Sequence, residues 1–123
     1  MANEIVVSGT LRYEDATGAE DNLDFADLSA TLLFTRFNKC IHFVGTTEEA
    51  MKLGEVVTPG WCLIKNLDAT NYVEIRTGTG GTKMLKIAAG KSAGPFYFGS
   101  GVTAPYIIAD TAEVKVVYLI TST

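Results

Sequence analysis

The feature that most constrains this chain is an alternation of apolar and polar residues with a period of two. It is clearest near the C-terminal end. There Val114, Val116, Tyr118 and Ile120 mark one face of residues 113–121, and Lys115, Val117 and Leu119 mark the other. Successive side chains of an extended strand point to opposite faces, so this spacing predicts a strand and not a 3.6-residue helix. The same period recurs along the chain. Ile5, Val7, Gly9, Leu11 and Tyr13 alternate with Val6, Ser8, Thr10 and Arg12. Trp61, Leu63 and Lys65 alternate with Cys62 and Ile64, and Val73 and Ile75 oppose Tyr72, Glu74 and Arg76. Leu85 and Ile87 face inward from residues 83–89. Further apolar runs cover 28–37, 40–44, 96–98 and 105–109, with Asn38-Lys39 reading as a tight turn between the first two. Only residues 45–51 suggest a helical turn, capped by Thr46 or Thr47. Glycine-rich turns fall at 78–82, 90–95 and 99–101. Eight or so short strands between such turns predict an all-β antiparallel sandwich or barrel. No long helical pattern supports parallel βαβ units. The last strand is apolar on both faces, so it is either central in a sheet or covered by another subunit.

Size and composition agree. A chain of 123 residues is the usual length of one domain, here 1–123, and can bury about two-thirds of its unfolded surface. Hydrophobic residues at 47% and charged residues at 20% exclude a disordered chain. No apolar stretch approaches the roughly 20 residues of a transmembrane helix, and the first residues do not read as a secretory signal.

The net charge of −4 is unevenly spread. Residues 1–30 hold seven acids (Glu4, Glu14, Asp15, Glu20, Asp21, Asp24, Asp27) and one base, Arg12, a balance of −6 that leaves +2 for the rest. Nonspecific binding of duplex DNA needs the opposite sign, so direct nucleic-acid binding is not expected. The acids fall mostly among Gly and Ala, which reads as a solvated loop at about residues 14–30. An irregular calcium site, or an arm that reaches a basic neighbour, are the functional alternatives. The EF-hand spacing is absent. Cys40 and Cys62 both lie in apolar runs and read as buried free thiols, with a disulfide between them left open. That usage places synthesis and folding in the cytosol.

Candidate chemistry is sparse. Gly90-Lys91-Ser92 resembles the end of a P-loop, but the first glycine of that pattern would fall on Leu85. His42 is the single histidine, with Cys40 two residues away on the same strand face. Along a strand such neighbours are ~7 Å apart, awkward for a direct Cys–His hydrogen bond. Two cysteines and one histidine fall short of a structural zinc site. Glu48 and Glu49 are adjacent, so in extended backbone they point to opposite faces and make a poor carboxylate pair. No catalytic, cofactor or metal residues are therefore nominated. Trp61 with Tyr72, Tyr97 and Tyr106 could instead form an aromatic platform for a sugar or for bases.

One stretch looks familiar. Residues 61–75, with Lys65-Asn66-Leu67-Asp68 followed by Asn71-Tyr72-Val73-Glu74-Ile75, resemble a pattern in small virion structural proteins of tailed bacteriophages. The turn at 86–91, then Thr103-Ala104-Pro105-Tyr106, then the strand at 113–120 follow in the same order, with Lys91 where an acid is common. The resemblance covers about residues 43–121. It implies a jelly-roll-like sandwich that is not an enzyme. It also implies a capsid decoration or cement protein on the virion surface, made in the host cytoplasm. Its partners would be the major capsid protein and copies of itself, as a homo-oligomer such as a trimer, with no membrane contact. A tail, neck or fibre component is the near alternative, and a carbohydrate-binding module the distant one. Candidate interface residues are Glu14, Asp15, Glu20, Asp21, Asp24, Asp27, Trp61 and Tyr72.

Overall fold

The computed structural model describes residues 36–123 in full. Before them it describes the backbone of four strands: β1 (Asn3–Ile5), β2 (Thr10–Glu14), β3 (Glu20–Asp24) and β4 (Leu32–Phe34). The chain divides into two compact units, 1–33 and 34–123. In the first, β2 and β3 run antiparallel with Leu11 opposite Leu23 and Tyr13 opposite Asp21. β1 pairs with β4. Part of the acidic segment expected as loop is thus strand backbone.

The second unit holds eight strands: β5 (Phe37–Val44), β6 (Glu49–Ala50), β7 (Pro59–Asn66), β8 (Val73–Arg76), β9 (Lys83–Ile87), β10 (Ser92–Tyr97), β11 (Tyr106–Ala109) and β12 (Val114–Ser122). They form two antiparallel four-stranded sheets, in the orders β10-β7-β12-β5 and β6-β11-β8-β9. The pairs are nested: β5 with β12, β6 with β11, β7 with β10, and β8 with β9. The described residues contain no helix, so the fold is all-β.

Period-two patterning explains the core. Val44, Cys62, Ile64, Val114, Val116 and Ile120 from the first sheet join Val73, Ile75, Ile87, Ile107 and Ala109 from the second in one buried cluster. β12 is central, flanked by β5 and β7; Val114, Val116, Tyr118 and Ile120 enter the core, and Val117 and Leu119 lie half-buried on the outer face. Asn66 crosses between the sheets. Its fully buried amide donates to the Asn71 carbonyl (2.9 Å) and the Ile87 carbonyl (3.1 Å), and its oxygen accepts the Asp68 N–H (2.8 Å). A buried amide satisfied in this way avoids the penalty of an orphaned polar group.

Three local expectations are corrected. Asn38-Lys39 is not a turn, because both residues continue β5 opposite Ile120 and Leu119. Residues 45–51 make no helical turn. Glu49 and Ala50 pair with Ile107 and Tyr106, and the Met51 N–H donates to the Pro105 carbonyl (2.9 Å). The turn placed at 90–95 ends sooner, since Ser92 already opposes Lys65 and the ladder passes Gly94-Pro95 as a bulge.

Candidate functional site

The outer faces of the two sheets differ in chemistry. On β8 and β9 the surface is a network of ion pairs. Glu74 meets Lys83 (3.0 Å) and Arg76 (3.6 Å), and Arg76 meets Glu48 (3.1 Å). The Lys83 hydrogen bond holds the Glu74 carboxyl below its ordinary range. Nearby, the Lys86 Nζ sits 3.8 Å from the centre of the Tyr72 ring, and the charge of Asp110 pushes that phenol upward. This is a face made for water.

The outer face of β10-β7-β12-β5 is apolar. Phe37, Ile41 and Phe43 along β5 are 56%, 54% and 56% exposed, and Tyr97 on β10 is 47% exposed. Register places Val117 beside both Ile41 and Lys65, and Leu119 beside both Lys39 and Leu63. An open groove of about 390 Å³ runs among Leu63, Lys65, Ala93, Val117 and Leu119. Trp61 stands edge-on to Tyr97, with ring centres 5.2 Å apart. The charged residues of these four strands are Lys39, Lys65 and Lys115; the strands contain no aspartate or glutamate. All three lysines are exposed, and the Lys115 Nζ lies 5.8 Å from the Phe43 ring centre. A contiguous apolar patch with charges of one sign marks an interaction surface more than a solvated face.

The two edges of this sheet also differ. On β10, Gly94 and Pro95 break the ladder, and Pro95 has no N–H to offer. β5 is eight residues long and uninterrupted, and it pairs with β12 alone among the described strands. The Ser122 N–H donates to the Arg36 carbonyl (2.8 Å), and the Leu67 N–H donates to the Lys115 carbonyl (2.9 Å). Antiparallel ladders alternate, so the even-numbered residues of β5 bond to β12. Lys39, Ile41 and Phe43 therefore turn both their side chains to the outer face and their backbone groups to the edge.

Beneath the face lies a polar chain that sequence reasoning missed. Glu49 is hydrogen-bonded to His42 Nε2, and its other oxygen accepts the Gly45 N–H (3.3 Å). His42 Nδ1 lies 2.9 Å from the Tyr118 hydroxyl, which accepts the Lys52 N–H at 2.7 Å. A carboxylate only accepts, so in the neutral imidazole the proton sits on Nε2 and the Tyr118 O–H donates to Nδ1. Such a carboxylate–imidazole–hydroxyl relay resembles hydrolytic triads in connectivity. Here the terminal hydroxyl belongs to Tyr118, a residue 1% exposed, and burial drives its pKa upward. It is a protonated phenol that accepts a backbone N–H, from Lys52. Tyr118 is 76 residues from His42 in sequence, and only the β5–β12 register joins them. Glu48 points the other way, to Arg76 and to the Gly80 N–H (2.7 Å), as adjacent residues in extended backbone must.

The expected residues are dispersed. Trp61 lies on the apolar sheet and Tyr72 precedes β8 in the other. Glu14, Glu20, Asp21 and Asp24 are positions in β2 and β3, whereas Asp15 and Asp27 lie outside the described residues. Cys40 and Cys62 are free thiols, and burial, with Cys40 nearby, pushes Cys62 up to about 12. Among the described residues no group of three or more His, Cys, Asp or Glu is placed to hold a metal ion. No family model, curated protein or solved structure matches the chain.

Proposed function

We propose that this chain is a non-enzymatic structural protein of a bacteriophage virion, a decoration or cement subunit that acts by covering surface. The observation that carries the reading is the exposed apolar face of β10-β7-β12-β5, with its lysines and with β5 as the last of its described strands. Such a patch is unfavourable on a lone monomer and useful where many copies tile a shell. The strand order supports the fold expected with it. Counting β5 as the first of eight strands, the sheets read 6-3-8-1 and 2-7-4-5. That order is what an eight-stranded antiparallel ribbon gives when wrapped into a jelly roll, the double-sheet sandwich of viral capsid and lectin domains. The subunit would meet the major capsid protein and its own copies on the outside of the head.

Quantitative mass spectrometry of purified virions tests this. On the order of hundreds of copies per particle is expected, as icosahedral symmetry requires of a shell component. A few copies would assign the chain to the tail, neck or fibre, and absence would overturn the reading. Particles stripped of the chain should lose their heads at lower temperature. The Trp61–Tyr97 pair beside the groove favours a second reading, a carbohydrate-binding module, since aromatic faces stack on sugar rings. Glycan-array binding that is lost in Trp61→Ala would select it.

A further inference from the structure

We infer that the lysine-bearing face and its edge strand β5, at Lys39–Phe43, receive the acidic N-terminal segment, residues 1–30, of a second copy, so that subunits join head to tail. The inference rests on the structural reading above and names the partner of that face.

Charge selects the occupant. The four strands carry Lys39, Lys65 and Lys115 and no acid, whereas residues 1–30 carry seven acids and one base. Two copies placed face to face would oppose lysine to lysine, which is destabilising where the charges lose water. Area points the same way. Four strands ~4.8 Å apart and eight residues at ~3.4 Å each make a face of roughly 500 Å². A standard interface takes about 800 Å² from each partner. A partner that lies over the face and also meets the edge supplies more contact than the face alone does. The edge is suited to it, because the backbone groups of Lys39, Ile41 and Phe43 point outward, the arrangement that strand addition uses. Each copy gives one segment and receives one. Such a heterologous contact closes into a ring when the rotation allows.

Charge exchange tests the inference on the full chain by sedimentation velocity. Wild type should be oligomeric, and its affinity should fall by roughly tenfold or more when salt rises from ~0.05 M to ~0.5 M. One variant carries Lys39→Glu, Lys65→Glu and Lys115→Glu, and another carries Glu20→Lys, Asp21→Lys, Asp24→Lys and Asp27→Lys. Each should be monomeric alone, and the two mixed should associate again, because each then offers the other a complementary pair. Near-UV circular dichroism of each variant checks the fold. A wild-type chain that stays monomeric overturns the inference, whether the segment lies on its own subunit or the face awaits a foreign partner. Oligomers indifferent to the lysine changes overturn it too, and so does a mixture that fails to associate. The structural role fails separately. A monomeric chain still abundant in virions removes only this contact, whereas charge-dependent oligomers missing from virions remove only the virion assignment.

Discussion

At the scale of single residues, every buried side-chain nitrogen and oxygen among the described residues has a hydrogen-bond partner. The Tyr118 hydroxyl joins the Lys52 N–H to His42 and through it to Glu49. Tyr118→Phe keeps the ring and removes the oxygen, leaving the Lys52 N–H and His42 Nδ1 without their partner. The expected cost is about 2 kcal/mol, read as a lower urea midpoint with an unchanged slope. Asp68 offers a test by pH. Its carboxylate accepts the Asn71 N–H (2.6 Å) and the Thr70 N–H (2.9 Å), which lower its pKa, the Asn71 bond most. Glu74 is lowered as well, chiefly by Lys83. A carboxyl that is more acidic folded than unfolded adds stability above its unfolded pKa, near ~4, and loses it as pH falls through the folded value. Stability should therefore drop between pH ~5 and pH ~2, and Asp68→Asn should shallow that drop in urea midpoints taken across the range.

At the scale of elements, period two locates four of the eight strands of the second unit (β7, β8, β9 and β12), because one face of each is buried in the common core, and apolar runs mark β11 and parts of β5 and β10. Its failures have physical causes. Asn38-Lys39 carries turn-forming chemistry, but eight ladder pairs with β12 outweigh a local preference. Glu49-Ala50 is too short to show a period, and its strand character comes from pairing with β11. The start of β10 was hidden by Gly94-Pro95, which reads as a break in sequence and is a bulge in the ladder. Gly94 has φ +113°, and a Cβ there would lie 2.4 Å from the Cys62 carbonyl oxygen. Gly94→Ala should cost about 2 kcal/mol or more in equilibrium unfolding. Gly90→Ala, at φ +71° with nothing within 4 Å, should cost about 1 kcal/mol.

For the whole molecule, the contrast between a sheet face sealed by ion pairs and one left apolar is the feature that function must explain. Ile41 and Phe43 are half exposed, so they contribute little to the fold, and the proposal above assigns them to association. Ile41→Thr with Phe43→Thr keeps β-branched strand formers or their equivalents in place. Thermal unfolding of the double variant should shift by no more than about 1 kcal/mol equivalent. Its self-association, measured by light scattering against concentration, should weaken by roughly tenfold or more. Unchanged association would move the contact to another surface.

The all-β class, most strand positions, the buried free thiol of Cys62 and the split between an acidic start and a slightly basic remainder were legible in the chain alone, whereas Cys40, expected to be buried too, is only half-buried. They follow from local periodicity and from counting charges. Which faces look outward was not legible, since a strand of period two states that it has two faces and not which neighbour covers either. The join of Lys39, Lys65 and Lys115 on four strands without an acid, the relay from Glu49 through His42 to Tyr118, and the edge position of β5 among the described strands all depend on strand order and register. Those are set by contacts between residues up to 86 positions apart, as between Arg36 and Ser122. No local pattern encodes such distances, and packing of the whole chain selects them.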